Sequence, residues 1–342
     1  MRDSLVDLTT TPYFNKNLND YAKGIVEVIN YVLQEYDSLS PQITSDICNK
    51  IWFASKYLRG SVSTEIPYEV EYSLSLALSD WLSEQCVIST ALLNDRDYHF
   101  YPLDTWKSIN LLLPDFTYDK FDKLLVQVAL PRIYRHKPLY YIPLYHELGH
   151  FIDNHFKITE TTFLEIPASV GSNPQESKFI KDLQTRHRME HFADLFATSY
   201  LGSEHYKFLQ KIAPNAPASE THPATNDRES IAKDFLNKKD NKIIDIFSNA
   251  LSKLGLQELI IRYKYPDLNS TYGNLRPYAI TSNEEVHGIF GAAWEYYDLA
   301  NQRLHNPWSE IDIMDISKII NDLTEKSIRN RVIVEKWENA TT

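Results

Sequence analysis

Glycine occurs only 9 times in 342 residues, against about 7% in ordinary domains. It supplies the backbone conformations of tight hairpin turns and lets loops approach phosphates closely. So few glycines argue against many-turned all-β architectures and Gly-rich nucleotide loops, and leave helix as the economical reading. Periodicity agrees. Over 17–36, Tyr21, Ile25, Val28, Ile29, Val32 and Leu33 recur at helical spacing. Ser40-Pro41 reads as an N-cap followed by proline at the first helical position, opening a helix that Gly60 ends. A third helix is expected over 69–93, and a short β-prone run, LLVQVAL at 124–130, predicts a strand closed by Pro131. Pro138 and Pro143 bracket the start of a helix that runs through Phe156. A polar loop over 171–177 precedes another helix over 178–201, and a Pro-rich loop follows it. From Arg228 onward the chain again reads as helical, with irregular sequence around 266–277. Cys48 and Cys86 fall in predicted helices as buried small hydrophobes, with no CxxC pair.

A hydrophobic share of 43% supports a sizeable core. The formal charge is −11, with no basic stripe to offset it, which argues against nucleic-acid partners because phosphate affinity comes largely from Lys and Arg. The N-terminus lacks the basic start, apolar run and cleavage site of a secretory signal, and no apolar run reaches membrane-spanning length. The expectation is a soluble cytoplasmic protein without a membrane span.

Histidine placement carries the chemistry: eight of the eleven lie from His136 to His222. Among them stands His146-Glu147-Leu148-Gly149-His150, the HExxH pattern. Two His four apart on a helix lie about 40° apart around its axis, so both imidazoles reach one metal ion from the same face. Glu147 sits beside that ion, where it can take a proton from an activated water. Ile142, Leu144, Leu148, Phe151 and Ile152 make the helix amphipathic.

A catalytic zinc takes three protein ligands and keeps a fourth position open. The metzincin pattern requires Gly at 153 and His at 156, where this chain has Asp153 and Phe156. His155 lies about 140° off the ligand face. The better third ligand is Glu190 on the next helix. There Glu190, Ala193, Asp194, Ala197 and Leu201 share a face whose small alanines let a second helix come close. Asp194, one turn on, is placed to accept the remaining N–H of a ligand imidazole. His187 and His191 are the rival ligands.

HExxH followed on a later helix by ExxxD resembles the gluzincin zinc peptidases, and HELGH with ExxADxFA is similar to the intracellular ImmA-like peptidases. The segment Thr221-His222-Pro223 through Arg228 resembles the THPxxxxR segment of CAAX prenyl peptidases and their soluble relatives. That resemblance implies that His222 donates to the tetrahedral oxyanion and that Arg228 holds its loop or the acidic groups behind the metal. The gluzincin resemblance also implies an exposed edge strand that pairs with extended substrate, a role for which 124–130 is the candidate. All these motif pieces fall within 146–228, about a quarter of the chain.

The resulting expectation is a mainly α (α+β) protein: a helical region at 1–115, a zincin-like metallopeptidase core with a short sheet at 116–235, and a helical region at 236–342. Its activity would be zinc-dependent endoproteolysis of a specific protein or peptide substrate, with zinc on His146, His150 and Glu190 and with Glu147 as general base. The alternatives are a silent zincin-fold protein that binds a partner and a zinc hydrolase acting on a small amide.

Overall fold

A computed structural model describes residues 2–82, 86–102, 104–304 and 307–341. The protein is mainly helical with one small sheet. It divides into two compact units, 1–136 and 137–342. This division follows compactness, a different criterion from the three segments expected from motifs.

The first unit contains α1 (Arg2–Thr9), α2 (Asn17–Gln34), α3 (Pro41–Gly60), α4 (Tyr68–Ser79), β1 (Cys86–Leu93), β2 (His99–Phe100), α5 (Thr105–Leu112) and β3 (Leu124–Pro131). The Ser40 cap behaves as expected, its side chain accepting from the Ile43 N–H with Pro41 at the first helical position. The strand order is β1-β3-β2; β3 pairs parallel with β1 from Cys86↔Leu124 to Leu93↔Pro131 and antiparallel with β2. Tyr21 packs between Trp106 and Phe121, at ring-centroid distances of 5.9 and 5.0 Å.

Two expectations change here. The helix expected over 69–93 ends at Ser79, and the chain returns as β1; residues 83–85 of that span lie outside the described residues. Seven of β1's eight residues are buried, and a strand covered on both faces reads as a continuous apolar run, which periodicity does not separate from a buried helix. Cys86 is therefore on a strand, and both cysteines are only half-buried. The second change concerns β3, which forms where a strand was expected but as the middle strand, with all eight residues buried. It is not an exposed edge.

The second unit holds α6 (Ile142–Phe156), α7 (Ile158–Thr162), α8 (Pro174–Leu201), α9 (Ser203–Ile212), α10 (Thr225–Leu236), α11 (Lys242–Lys253), α12 (Asn269–Tyr272), α13 (Asn283–Ala300) and α14 (Ile313–Thr341). Helix α8 starts four residues earlier than expected. Asn173 accepts from the Glu176 N–H, Pro174 opens the helix, and Glu176 reaches back to the Ser172 N–H, so the expected loop is a helix cap and first turn. Leu139, just ahead of α6, is held by Trp294 Nε1 on its carbonyl and Asn321 Oδ1 on its N–H. On α6 itself, the Tyr145 hydroxyl meets His287 Nδ1 at 2.9 Å. Burial, with Arg262 nearby, pushes His287 down to about 3, so its neutral ring serves the core. Among the described residues no helix is long and apolar enough to cross a membrane.

Candidate metal centre

Helices α6 and α8 meet at Gly149. A Cβ there would stand 2.8 Å from Ala193 Cα and 3.1 Å from Phe196 Cβ, closer than side chains tolerate. The glycine of HELGH and an alanine of the Glu190 face therefore bring the two helices into direct contact, as the sequence reading requires. Asp153 and Phe156, which break the metzincin spacing, belong to the end of the same helix. Asp153 accepts from the Thr159 N–H and hydroxyl and so caps α7, across a Lys157 held at φ 59°. Position 153 is structural here.

This contact gathers His146, His150 and Glu190, whose donor atoms all lie within 4.8 Å of one another. His146 Nε2 is 3.3 Å from Glu190 Oε2, His150 Nε2 is 3.3 Å from Glu190 Oε1, and the two Nε2 atoms are 3.0 Å apart. Glu190 Oε2 is buried and makes no hydrogen bond, although Arg228 Nη2 stands 3.2 Å and His222 Nε2 3.6 Å away. A buried carboxylate oxygen lacking a hydrogen bond is costly. Two imidazole nitrogens and that carboxylate, converging on one point, could hold a metal ion, and zinc is among the ions that accept such donors. The residues fit the ion.

Asp194 lies behind His146. Its Oδ1 is 3.0 Å from His146 Nδ1; the two atoms are not aligned as a hydrogen bond, but at that distance the charge of the carboxylate still acts on the ring. Arg228 grips Asp194 at both oxygens, Nε on Oδ2 at 2.6 Å and Nη2 on Oδ1 at 2.7 Å. Burial opposes charge on Asp194, Glu190, His146 and Arg228, and their partners overcome it. Arg228, His146 and His205 hold Asp194 well below the carboxylate range, and His146 and His150 do the same for Glu190. Burial alone would lower His146, but Asp194 and Glu190 raise it to about 10. Arg228 is raised in turn, chiefly by Asp194, with Glu190 and Glu147 adding to it.

The remaining expected residues fall as follows. Glu147 is half-buried next to the His pair. His222 reaches the rim of the site, its side chain 55% exposed, on a turn closed by the Ser219 N–H to the His222 carbonyl at 2.8 Å. The rivals His187 and His191 join neither donor set among the described residues. His187 Nε2 instead holds the Ser219 carbonyl at 2.8 Å. His191 is buried, and burial lowers it. His155 packs against Phe151 and Phe156.

One residue was missed: His205. Its Nε2 lies 2.9 Å from Asp194 Oδ1, and its ring lies parallel to that of His146 at 5.8 Å. Its presence in the histidine-rich stretch was the available signal. His146, Asp194 and His205 form a second close set. Asp194 Oδ1 already meets His205 Nε2 at 2.9 Å, and the Arg228 guanidinium on both Asp194 oxygens would repel a cation there. This second set backs the first.

Comparison of the chain with protein-family models, with curated proteins and with solved structures finds no match.

Proposed function

We propose that the chain is a soluble intracellular zinc-dependent endopeptidase of the gluzincin kind, acting on a protein or peptide substrate. The observation that carries this reading is the convergence of His146 Nε2, His150 Nε2 and a buried oxygen of Glu190 that no hydrogen bond satisfies, with the Glu147 carboxylate one residue from His146. Zinc at this point supplies a Lewis acid and makes a water nucleophilic near neutral pH. Glu147 accepts the proton of the attacking water and delivers it to the leaving amine. His222, at the rim, donates to the oxyanion as charge develops there. Asp194, clamped by Arg228, keeps the His146 ring oriented through Nδ1.

The test compares wild type with Glu147→Gln in a proteome, reading new N-termini. The amide fills the same space and accepts no proton, so cleavage should fall by about 10² to 10⁴ with one zinc retained. Cleavage at the wild-type rate by the variant would overturn the general-base role, and a proteome without new N-termini under wild type would overturn the endopeptidase reading.

A further inference from the structure

Helix α8 ends at Gly202, with φ 62° and ψ −139°, a conformation open to glycine and strained for any other residue. A Cβ there would also stand 2.4 Å from the Tyr263 ring. This turn redirects the chain into α9, so that His205, eleven residues after Asp194, comes back to it in the interior. An ionised carboxylate can only accept, so the proton of the contact between His205 Nε2 and Asp194 Oδ1 belongs to the histidine. His205 and Asp194 are both buried, at 5% and 2% exposure.

Arg228 alone does not settle where Asp194 points, because the same guanidinium is drawn to Glu190 Oε2 at 3.2 Å. His205 touches Asp194 and not Glu190, and its ring lies flat along His146. Two donors from two different helices, α9 and α10, thus pin one carboxylate against one ligand imidazole. We propose that His205 is a positioning residue of the metal site, holding Asp194 on His146 Nδ1 against the pull of the Arg228–Glu190 pair. The proposal rests on zinc binding at His146, His150 and Glu190, and its readout is metal affinity, which needs no substrate.

The experiment measures zinc affinity by chelator competition for wild type, His205→Leu, His205→Gln, Asp194→Asn, the Asp194→Asn/His205→Leu double variant and His146→Ala. Leucine keeps bulk and removes the donor, so affinity should fall about 10-fold, the lower end for groups that orient metal ligands. Glutamine keeps an N–H at similar reach and should recover most of that loss. In the Asp194→Asn background the leucine substitution should cost nothing further, because both act through one contact. Wild-type affinity in His205→Leu, failure of glutamine to recover it, or full additivity in the double variant would each overturn the proposal. Unchanged affinity in His146→Ala would instead place the metal elsewhere, and the site reading would fall with it.

Discussion

The two halves of α8 differ sharply in burial. Up to Met189 every residue is exposed or half-buried, whereas the twelve from Glu190 to Leu201 are all buried. Acidic residues occur in both halves, with different consequences. In the first, Glu176 caps the helix start and Asp182 is exposed. In the second, Glu190 and Asp194 are buried among His146, His150, His205 and Arg228. A carboxylate on a helix is by default solvated, and burying one without partners costs several kcal/mol. The second half therefore shows what the first does not: its carboxylates lie in the interior with partners that keep them charged.

The most severe way to break this contrast is to remove the charge from the buried half. Glu190→Ala deletes the proposed third ligand, so zinc affinity should fall by more than about 100-fold, beyond the range for groups that only orient ligands. Asp194→Asn should cost about 10 to 100-fold. Chelator competition gives both values. If the two substitutions cost the same, or Asp194→Asn the more, Glu190 is not a ligand and the assignment to the gluzincin pattern fails.

A second test uses protons. With no metal bound, His146 is held at about 10 by Asp194 and Glu190, above the ordinary value of about 6.5. A raised histidine contributes stability that is complete below about pH 6.5 and is lost as pH climbs through about 10. Glu190 and Asp194, held low, contribute stability that is complete above about pH 4 to 5 and is lost as pH falls toward their lowered values. Thermal melting of the metal-free protein should therefore decline from about pH 6.5 to 10, and His146→Gln should flatten that decline. Zinc binding at pH 8 should also release a proton from His146, seen by calorimetry in buffers of different ionisation enthalpy. Binding without proton release would mean that His146 is already neutral and that the two carboxylates do not act on it as described.

How much of this was legible depended on whether the determining contact was local. That His146 and His150 share a face follows from their spacing of four on one helix, and the approach of Glu190 to them follows from alanines at helical spacing, so both are readable in the sequence. The Ser40-Pro41 cap was readable for the same reason. Asn173-Pro174 has the same chemistry but reads as loop, because the exposed first turns of α8 carry little apolar periodicity. The histidine-rich stretch marks out His205, but nothing in the sequence gives it a role. Its approach to Asp194 depends on the reversal at Gly202, and nothing in the local pattern states where a chain goes after such a turn. The change at β1 has a related origin, since only its pairing with β3 distinguishes that buried run from a helix.

The smallest expected effects sharpen the comparison from the other side. In the exposed half, Lys181→Ala should change stability by no more than about 0.5 kcal/mol, as surface substitutions away from special contacts do. His187 is more informative, since by spacing it was a rival ligand only three residues before Glu190. Its Nε2 is committed to the Ser219 carbonyl, and Arg186 reaches the neighbouring Glu220 carbonyl at 3.4 Å, so this part of the helix tethers the turn that carries His222. His187→Ala should cost one half-exposed hydrogen bond, about 0.5 to 1.5 kcal/mol, and leave zinc stoichiometry and affinity at wild-type values. Turnover, once a substrate is in hand, should fall in the direction of His222→Ala, because loosening the turn moves the donor at the rim without touching the ligands. Loss of zinc in His187→Ala would erase the boundary drawn at Glu190, since the exposed half of α8 would then supply a ligand.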